Sequence, residues 1–150
     1  MTTHVARVVW QAGDVTHKEP TYSRGHVWQF DGGLSVFASA SPQRVQTPMS
    51  NEAAVDPEEA FVASISSCHM LWFLDFAHRA GLEVGRYVDD ASGTLAADGR
   101  GHWAMREVLL RPRIDWVGRT PAPEEVDALH HRAHAACFLA NSVNFPVRVQ

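Results

Sequence analysis

Two cysteines, Cys68 and Cys137, are the residues of this chain best able to carry covalent chemistry. A thiol can attack as the thiolate, ligate a metal or pair with a second thiol, and its surroundings decide which. Cys68 lies within Ala60 to Leu74, fifteen residues without a charge, bounded by Glu59 and Asp75. Apolar surroundings disfavour a thiolate, so a reactive Cys68 needs a cation brought to it from elsewhere in the chain. Arg24 and Arg44, in the segments before it, are the candidates. Without that cation Cys68 reads as an inert core residue, because free cysteine is among the most buried residue types.

Cys137 closes the run His130-His131-Arg-Ala-His134-Ala-Ala-Cys137. On a helix, His130, His134 and Cys137 share one face and line up three zinc-ligand types. The set lacks a fourth ligand and matches neither Cys-x-x-Cys nor His-Glu-x-x-His, and nine histidines in 150 residues make a chance alignment unsurprising. A non-enzymatic zinc- or small-ligand-binding protein using these residues is the alternative to a thiol enzyme. The two exclude each other at Cys137, since a bound metal would hold its thiolate. His4, His17, His26, His78 and His102 read as solvated or hydrogen-bonded without a role. No dinucleotide-binding, Walker or Gly-x-Ser-x-Gly motif is present, and the single lysine, Lys18, supports neither Schiff-base nor phosphate chemistry. The five tryptophans read as core or interface anchors.

Composition narrows the field. A chain of 150 residues with 45% hydrophobic and 20% charged residues reads as one globular domain, 1–150, able to fold without disulfide staples. Its net charge of −4, with scattered arginines, argues against nucleic acid or an anionic membrane as partner. Met1 to Arg7 shows no secretory pattern, and the uncharged stretch is short of the roughly 18 to 20 apolar residues that cross a bilayer. A cytoplasmic location is expected, where thiols stay reduced and a structural bridge is disfavoured.

The elements that must position the cysteines can be read in order. Val5 to Trp10, His26 to Phe30 and Leu34 to Phe37 have strand character, with Asp31-Gly-Gly33 as a hairpin turn. Ala38 to Ala54 is a long loop. Asp56-Pro57-Glu58-Glu59 carries a helix start, with Asp56 as cap, Pro57 at the first position and Glu59 completing a capping box. That helix runs to about Ala80, stops at Gly81 and, apolar nearly all round, should be buried with Cys68 at its middle. Strands follow around Val84 to Ala97 and His102 to Val117, turning at Asp98-Gly-Arg-Gly101 as an antiparallel hairpin. A second helix opens near Pro121 to Glu124 and runs into Cys137, and Asn144 to Val149 closes as a strand. The order is that of an α+β fold.

Asp56-Pro-Glu-Glu-Ala-Phe-Val-Ala-Ser-Ile-Ser-Ser-Cys68, followed about seventy residues later by His134-Ala-Ala-Cys137-Phe-Leu-Ala-Asn-Ser142, resembles the OsmC/Ohr family of osmotically inducible and organic hydroperoxide resistance proteins. The resemblance covers about Arg24 to Val149. It implies antiparallel sheets packed around a long buried central helix, in an intertwined homodimer with active sites at the subunit interface. It also implies a thiol peroxidase, without metal or haem, that reduces organic and fatty-acid hydroperoxides. By position Cys68 matches the peroxidatic cysteine, Cys137 the resolving one and Glu58 the glutamate that holds a catalytic arginine. Arg24 fits that arginine, with Arg44 as alternative. A dithiol of the dihydrolipoyl type is the implied reductant. Phe61, Ile65, Met70, Trp72 and Phe73 would line an apolar substrate site.

Two features stand apart from the pattern. Ten residues of straight helix separate Glu58 from Cys68 by about 15 Å, so the arginine must bridge them. His69 follows Cys68 where the family usually has Phe, and Phe138 follows Cys137 where Pro is common. Both point to a less characterised branch.

Overall fold

A computed structural model describes all 150 residues. The chain forms two compact units, Met1–Ala60 and Phe61–Gln150.

The first unit holds a three-stranded antiparallel sheet of β1 (Ala6–Val9), β2 (His26–Phe30) and β3 (Ser35–Ala38), in that order. The turn between β2 and β3 falls at Asp31-Gly-Gly33, as the sequence predicts. Gly33 has φ +87, which only glycine adopts freely, and the Phe30 N–H donates to the Leu34 carbonyl at 2.9 Å. The loop before the first helix is folded back on β3: Ser39 N–H donates to Val55 O at 3.0 Å, and Asn51 N–H to the Ser39 hydroxyl at 3.1 Å.

Helix α1 (Pro57–Arg79) begins in the capping box foreseen for it. Glu59 N–H donates to Asp56 Oδ1 at 2.7 Å, and Asp56 N–H donates back to Glu59 Oε2 at 3.3 Å. It ends in a Schellman motif around Gly81 (φ +70), with Leu82 N–H on Ala77 O at 3.0 Å and Gly81 N–H on His78 O at 2.9 Å. The Asp75–Arg79 pair closes at 2.8 Å.

Beyond α1 the second unit holds β4 (Glu83–Asp89), β5 (Ser92–Ala97), β6 (Trp103–Leu110), β7 (Pro112–Val117), helix α2 (Pro123–Ala136) and β8 (Val147–Val149). β4 pairs with β7 antiparallel, and β5, β6 and β8 form the third sheet. β5 and β6 are the antiparallel hairpin expected, turning where the Asp98 carboxylate accepts from Arg100 and His102 N–H at 2.8 and 2.9 Å. β8 lies parallel to β6, a correction to the all-antiparallel expectation. A parallel neighbour needs a long crossover, here supplied by β7 and α2. At Arg111 the chain leaves one sheet for the other: its N–H donates to Asp89 Oδ1 at 2.6 Å, and Pro112, with no N–H to give, opens β7.

The core of this unit has two clusters. One gathers Phe73, Ala77, Leu82, Leu129 and Ala133, the other Ile65, Val108, Leu110 and Val147. Both draw on a single stripe of α1, namely Ile65, His69, Phe73 and Ala77 at i,i+4 spacing. The expectation of a helix buried all round is therefore corrected. Leu71 is 61% exposed and Phe61 is exposed too, so apolar side chains of α1 face outward as well as inward. By length and composition α1 passes for a membrane span, with a mean hydropathy of 1.4. Its buried stripe, the Asp75–Arg79 pair and the Ser66 hydroxyl donating to Asp89 Oδ2 at 2.5 Å are those of a core helix in a folded unit.

Candidate active site

Cys68 and Cys137, both free thiols, come together in the second unit. Cys68 stands midway along α1 and is half-buried, whereas Cys137 is fully buried. α2 stops one residue short of Cys137, which caps it in extended conformation, its N–H on His134 O at 3.2 Å. The chain then turns tightly through a 3-10 segment, Ala140–Ser142, whose Ala140 N–H donates to Cys137 Sγ at 3.4 Å. Burial pushes the Cys137 thiol above its ordinary pKa, and hydrogen bonding to Cys68 pushes the same way against the Ala140 donor. Cys137 is therefore the protonated, sheltered member of the pair, and Cys68 the accessible one. Trp72, one turn after Cys68, meets Phe138 edge-on at 5.5 Å, so the segments carrying the two thiols also touch through aromatic rings.

The three zinc-ligand types do not assemble. His130 Nδ1 is within 3.0 Å of His69 Nε2, and the two rings stack 5.3 Å apart with 12° between planes. Cys137 lies beyond the helix end. No group of three His, Cys, Asp or Glu side chains is placed to hold a metal ion, which removes the His130, His134, Cys137 reading.

The histidine pair itself was not foreseen. His69 is buried, its Nδ1 has no hydrogen-bond partner, and burial, followed by the His130 and His134 charges, lowers its pKa to about 4. Burial lowers that of His130 as well. The signal was present in the i,i+4 spacing of Ile65, His69 and Phe73, which places His69 on the core face of α1.

Arg24 and Glu58 belong to the first unit, and no hydrogen bond or ion pair joins them. The Arg24 guanidinium lies 3.5 Å from the centre of the Tyr22 ring, and its Nη1 donates to the carbonyls of Tyr22 and Pro20. Its backbone is held on both sides. The Arg24 N–H donates to Met49 O at 2.8 Å, and its carbonyl accepts from His26 Nδ1 at 2.8 Å. The direction of that second bond follows from Trp28, whose indole N–H can only donate and reaches His26 Nε2 at 3.0 Å. His26 thus carries its proton on Nδ1 and positions Arg24. Arg44 sits in a turn, its N–H on Ser41 O at 2.9 Å. Glu58 is one of two acids in the first turn of α1, where the helix dipole favours a negative charge.

Arg24 also lines a cavity of about 530 Å³ in the first unit, with Trp10, His17, Tyr22, His26 and Ser39. Of the apolar residues named from the sequence as substrate lining, Ile65 and Phe73 are core residues of the second unit, and Phe61 packs on Phe145 with ring centres 6.0 Å apart. The sequence reading did not foresee this cavity, and the signal that could have found it is the run of rings and charges between Trp10 and His26.

Residues 50–150 match the family described as OsmC-like protein. An OsmC-like protein of unknown function from Vibrio cholerae is 44% identical over 100% of this chain and 99% of that one, with a TM-score of 0.96. Two further structures share the fold. An organic hydroperoxide resistance protein from Elizabethkingia anophelis, with thiocyanate bound, is 20% identical over 99% of this chain and 94% of that one, at a TM-score of 0.73. The organic hydroperoxide resistance protein OsmC from Legionella pneumophila is 19% identical over 100% and 95%, at 0.71. No curated protein matches the chain. With the family match spanning residues 50–150 and a relative 44% identical along the whole chain, this protein belongs to the OsmC-like family.

Proposed function

We propose that this protein is a thiol peroxidase that reduces organic hydroperoxides, fatty-acid hydroperoxides among them, to alcohols. The observation that carries the reading is the pairing of a half-buried Cys68 with a neighbouring, fully buried Cys137 whose thiol burial holds protonated. The Cys68 thiolate attacks the outer oxygen of ROOH. The O–O bond breaks, ROH leaves with a proton, and Cys68 becomes a sulfenic acid. The Cys137 thiol then displaces the hydroxyl, giving a disulfide and water. A dithiol of the dihydrolipoyl type takes the two oxidising equivalents and restores both thiols.

Arg24 in this scheme stabilises the thiolate and the departing oxygen, and Glu58 orients it; since the two are unpaired in the structure, they pair when substrate or the partner subunit arrives. We further propose that the two compact units act as one OsmC-like domain, that the chain is a cytoplasmic homodimer, and that the exposed apolar side chains of β1, β3 and α1 are covered by the second copy.

Thiol titration tests the reading. One equivalent of cumene hydroperoxide should remove both thiols of the parent protein. Cys68→Ser should consume none, and Cys137→Ser should accumulate a sulfenic acid at Cys68 that dimedone traps. Equal peroxide consumption by both variants and the parent would end the proposal.

A further inference from the structure

We propose that His69 and His130 are positioning residues for disulfide closure: the hydrogen bond between them fixes the rotation and height of α2 on α1, and so holds Cys137 within reach of Cys68. This deepens the peroxidase reading and rests on it for the oxidant, though not for the closure itself. His69 follows Cys68 on α1, and His130 of α2 stands seven residues, about two helical turns, before Cys137. Each ring is thus tied by its own helix to one of the two thiols.

The bond is directional where the seam around it is not. Phe73 and Ala77 of α1 pack with Leu129 and Ala133 of α2, and apolar burial of this kind has no preferred direction, so it tolerates a small turn or slide of one helix on the other. His69 Nε2 and His130 Nδ1, by contrast, meet at 3.0 Å with 12° between ring planes, and Phe73 packs on the His130 ring with centres 4.4 Å apart. One polar contact set among apolar ones selects a single register. The surroundings also decide which ring donates. His69 is 1% exposed and its Nδ1 has no partner. A proton there would be a buried N–H without an acceptor, so the proton sits on Nε2 and His69 donates to His130 Nδ1. Burial, followed by the His130 and His134 charges, lowers the His69 pKa to about 4, and burial lowers that of His130 as well. At neutral pH neither ring takes the second proton that would set N–H against N–H.

Closure can be followed without a peroxide. One equivalent of the symmetrical disulfide of thionitrobenzoate is added to the reduced full-length protein. The Cys68 thiolate attacks one sulfur and releases a first thionitrobenzoate; Cys137 then loses its proton to solvent and attacks the Cys68 sulfur, and the second thionitrobenzoate leaves. His130→Phe, which keeps a ring against Phe73, should slow the second release about tenfold relative to the first. His130→Asn, whose side-chain oxygen can accept from His69 Nε2, should restore it. Leu129→Val loosens the same seam without touching the bond, and should close like the parent despite a lower urea midpoint. Parental closure in a folded His130→Phe, or an Asn variant no faster than the Phe one, overturns the proposal. In the parent itself, nitrogen NMR should show a scalar coupling between His69 Nε2 and His130 Nδ1 across the hydrogen bond; its absence overturns the proposal even where the variants fail to fold. If the second release slows as expected while no hydroperoxide is consumed by the parent, the peroxidase reading falls and the positioning role stands.

Discussion

At the scale of single residues, two of the histidines to which the sequence gave no role, His26 and His69, each act through a defined hydrogen bond. His26 ties the Trp28 indole to the Arg24 carbonyl, so His26→Phe leaves an indole N–H and a carbonyl without partners. Loss of a hydrogen-bonded pair of this kind costs about 1–3 kcal/mol, which urea denaturation should show as a lower midpoint at unchanged slope. His69 makes the molecule acid-sensitive. The folded ring takes its proton only near pH 4, whereas in the unfolded chain it does so near 6.5. Between those values the unfolded chain binds more protons, so stability falls as pH drops and the loss is complete below the lower value. The gap corresponds to about 3 kcal/mol. Denaturation midpoints at pH 7, 5.5 and 4.5 should fall steadily in the parent and fall less in His69→Leu. Identical slopes in the two would remove His69 as the cause. The two cysteines were legible as a pair only through the family pattern, because spacing alone cannot show that Cys137 lies just past its helix and close to Cys68.

At the scale of elements, what was written locally was legible. The capping box at Asp56 and Glu59, the stop at Gly81 and the turns at Gly33 and Asp98 are each set by a few neighbouring residues, and each formed where it was expected. What depends on distant neighbours was not. Nothing in Val147 to Val149 announces a parallel pairing with Val108 to Leu110, and the apolar circumference of α1 does not say which side the rest of the chain will cover. Close packing between elements was hidden for the same reason. A Cβ on Gly93 of β5 would stand 2.6 Å from Val62 Cγ2 on α1 and 2.8 Å from Met105 Sδ on β6. The methionine can yield, but the valine is stiff. Gly93→Ala should therefore cost about 1–3 kcal/mol, and the penalty should shrink in a Val62→Ala background when both are measured as a double-mutant cycle. Equal penalties in the two backgrounds would show that the helix and strand do not meet there. Gly81→Ala meets no atom within 4 Å, yet its φ of +70 is unfavourable for any side chain, so about 1 kcal/mol should be lost by backbone conformation alone.

At the scale of the whole molecule, the division of the core is the main fact. Both buried clusters lie in the second unit, and the first sixty residues leave Val8 64% and Leu34 63% exposed, with Phe37 also outward. A sheet with that much apolar side chain in water calls for a second surface. Equilibrium sedimentation should report a dimer, and Leu34→Asp with Phe37→Asp should shift it towards monomer while the second unit keeps its hydrogen-exchange protection. A parent that sediments as a monomer at micromolar concentration would exclude the paired assembly.

The parallel strand β8 has a consequence for how the molecule is made. Val147 completes the cluster of Ile65, Val108 and Leu110, and Gln150 N–H donates to Leu110 O at 3.0 Å. A nascent chain therefore cannot close this core until β8 has emerged from the ribosome, after α1 and the β5–β6 hairpin. Cys68 is translated well before Cys137 and stays without its partner thiol until α2 and the turn that follows it have emerged.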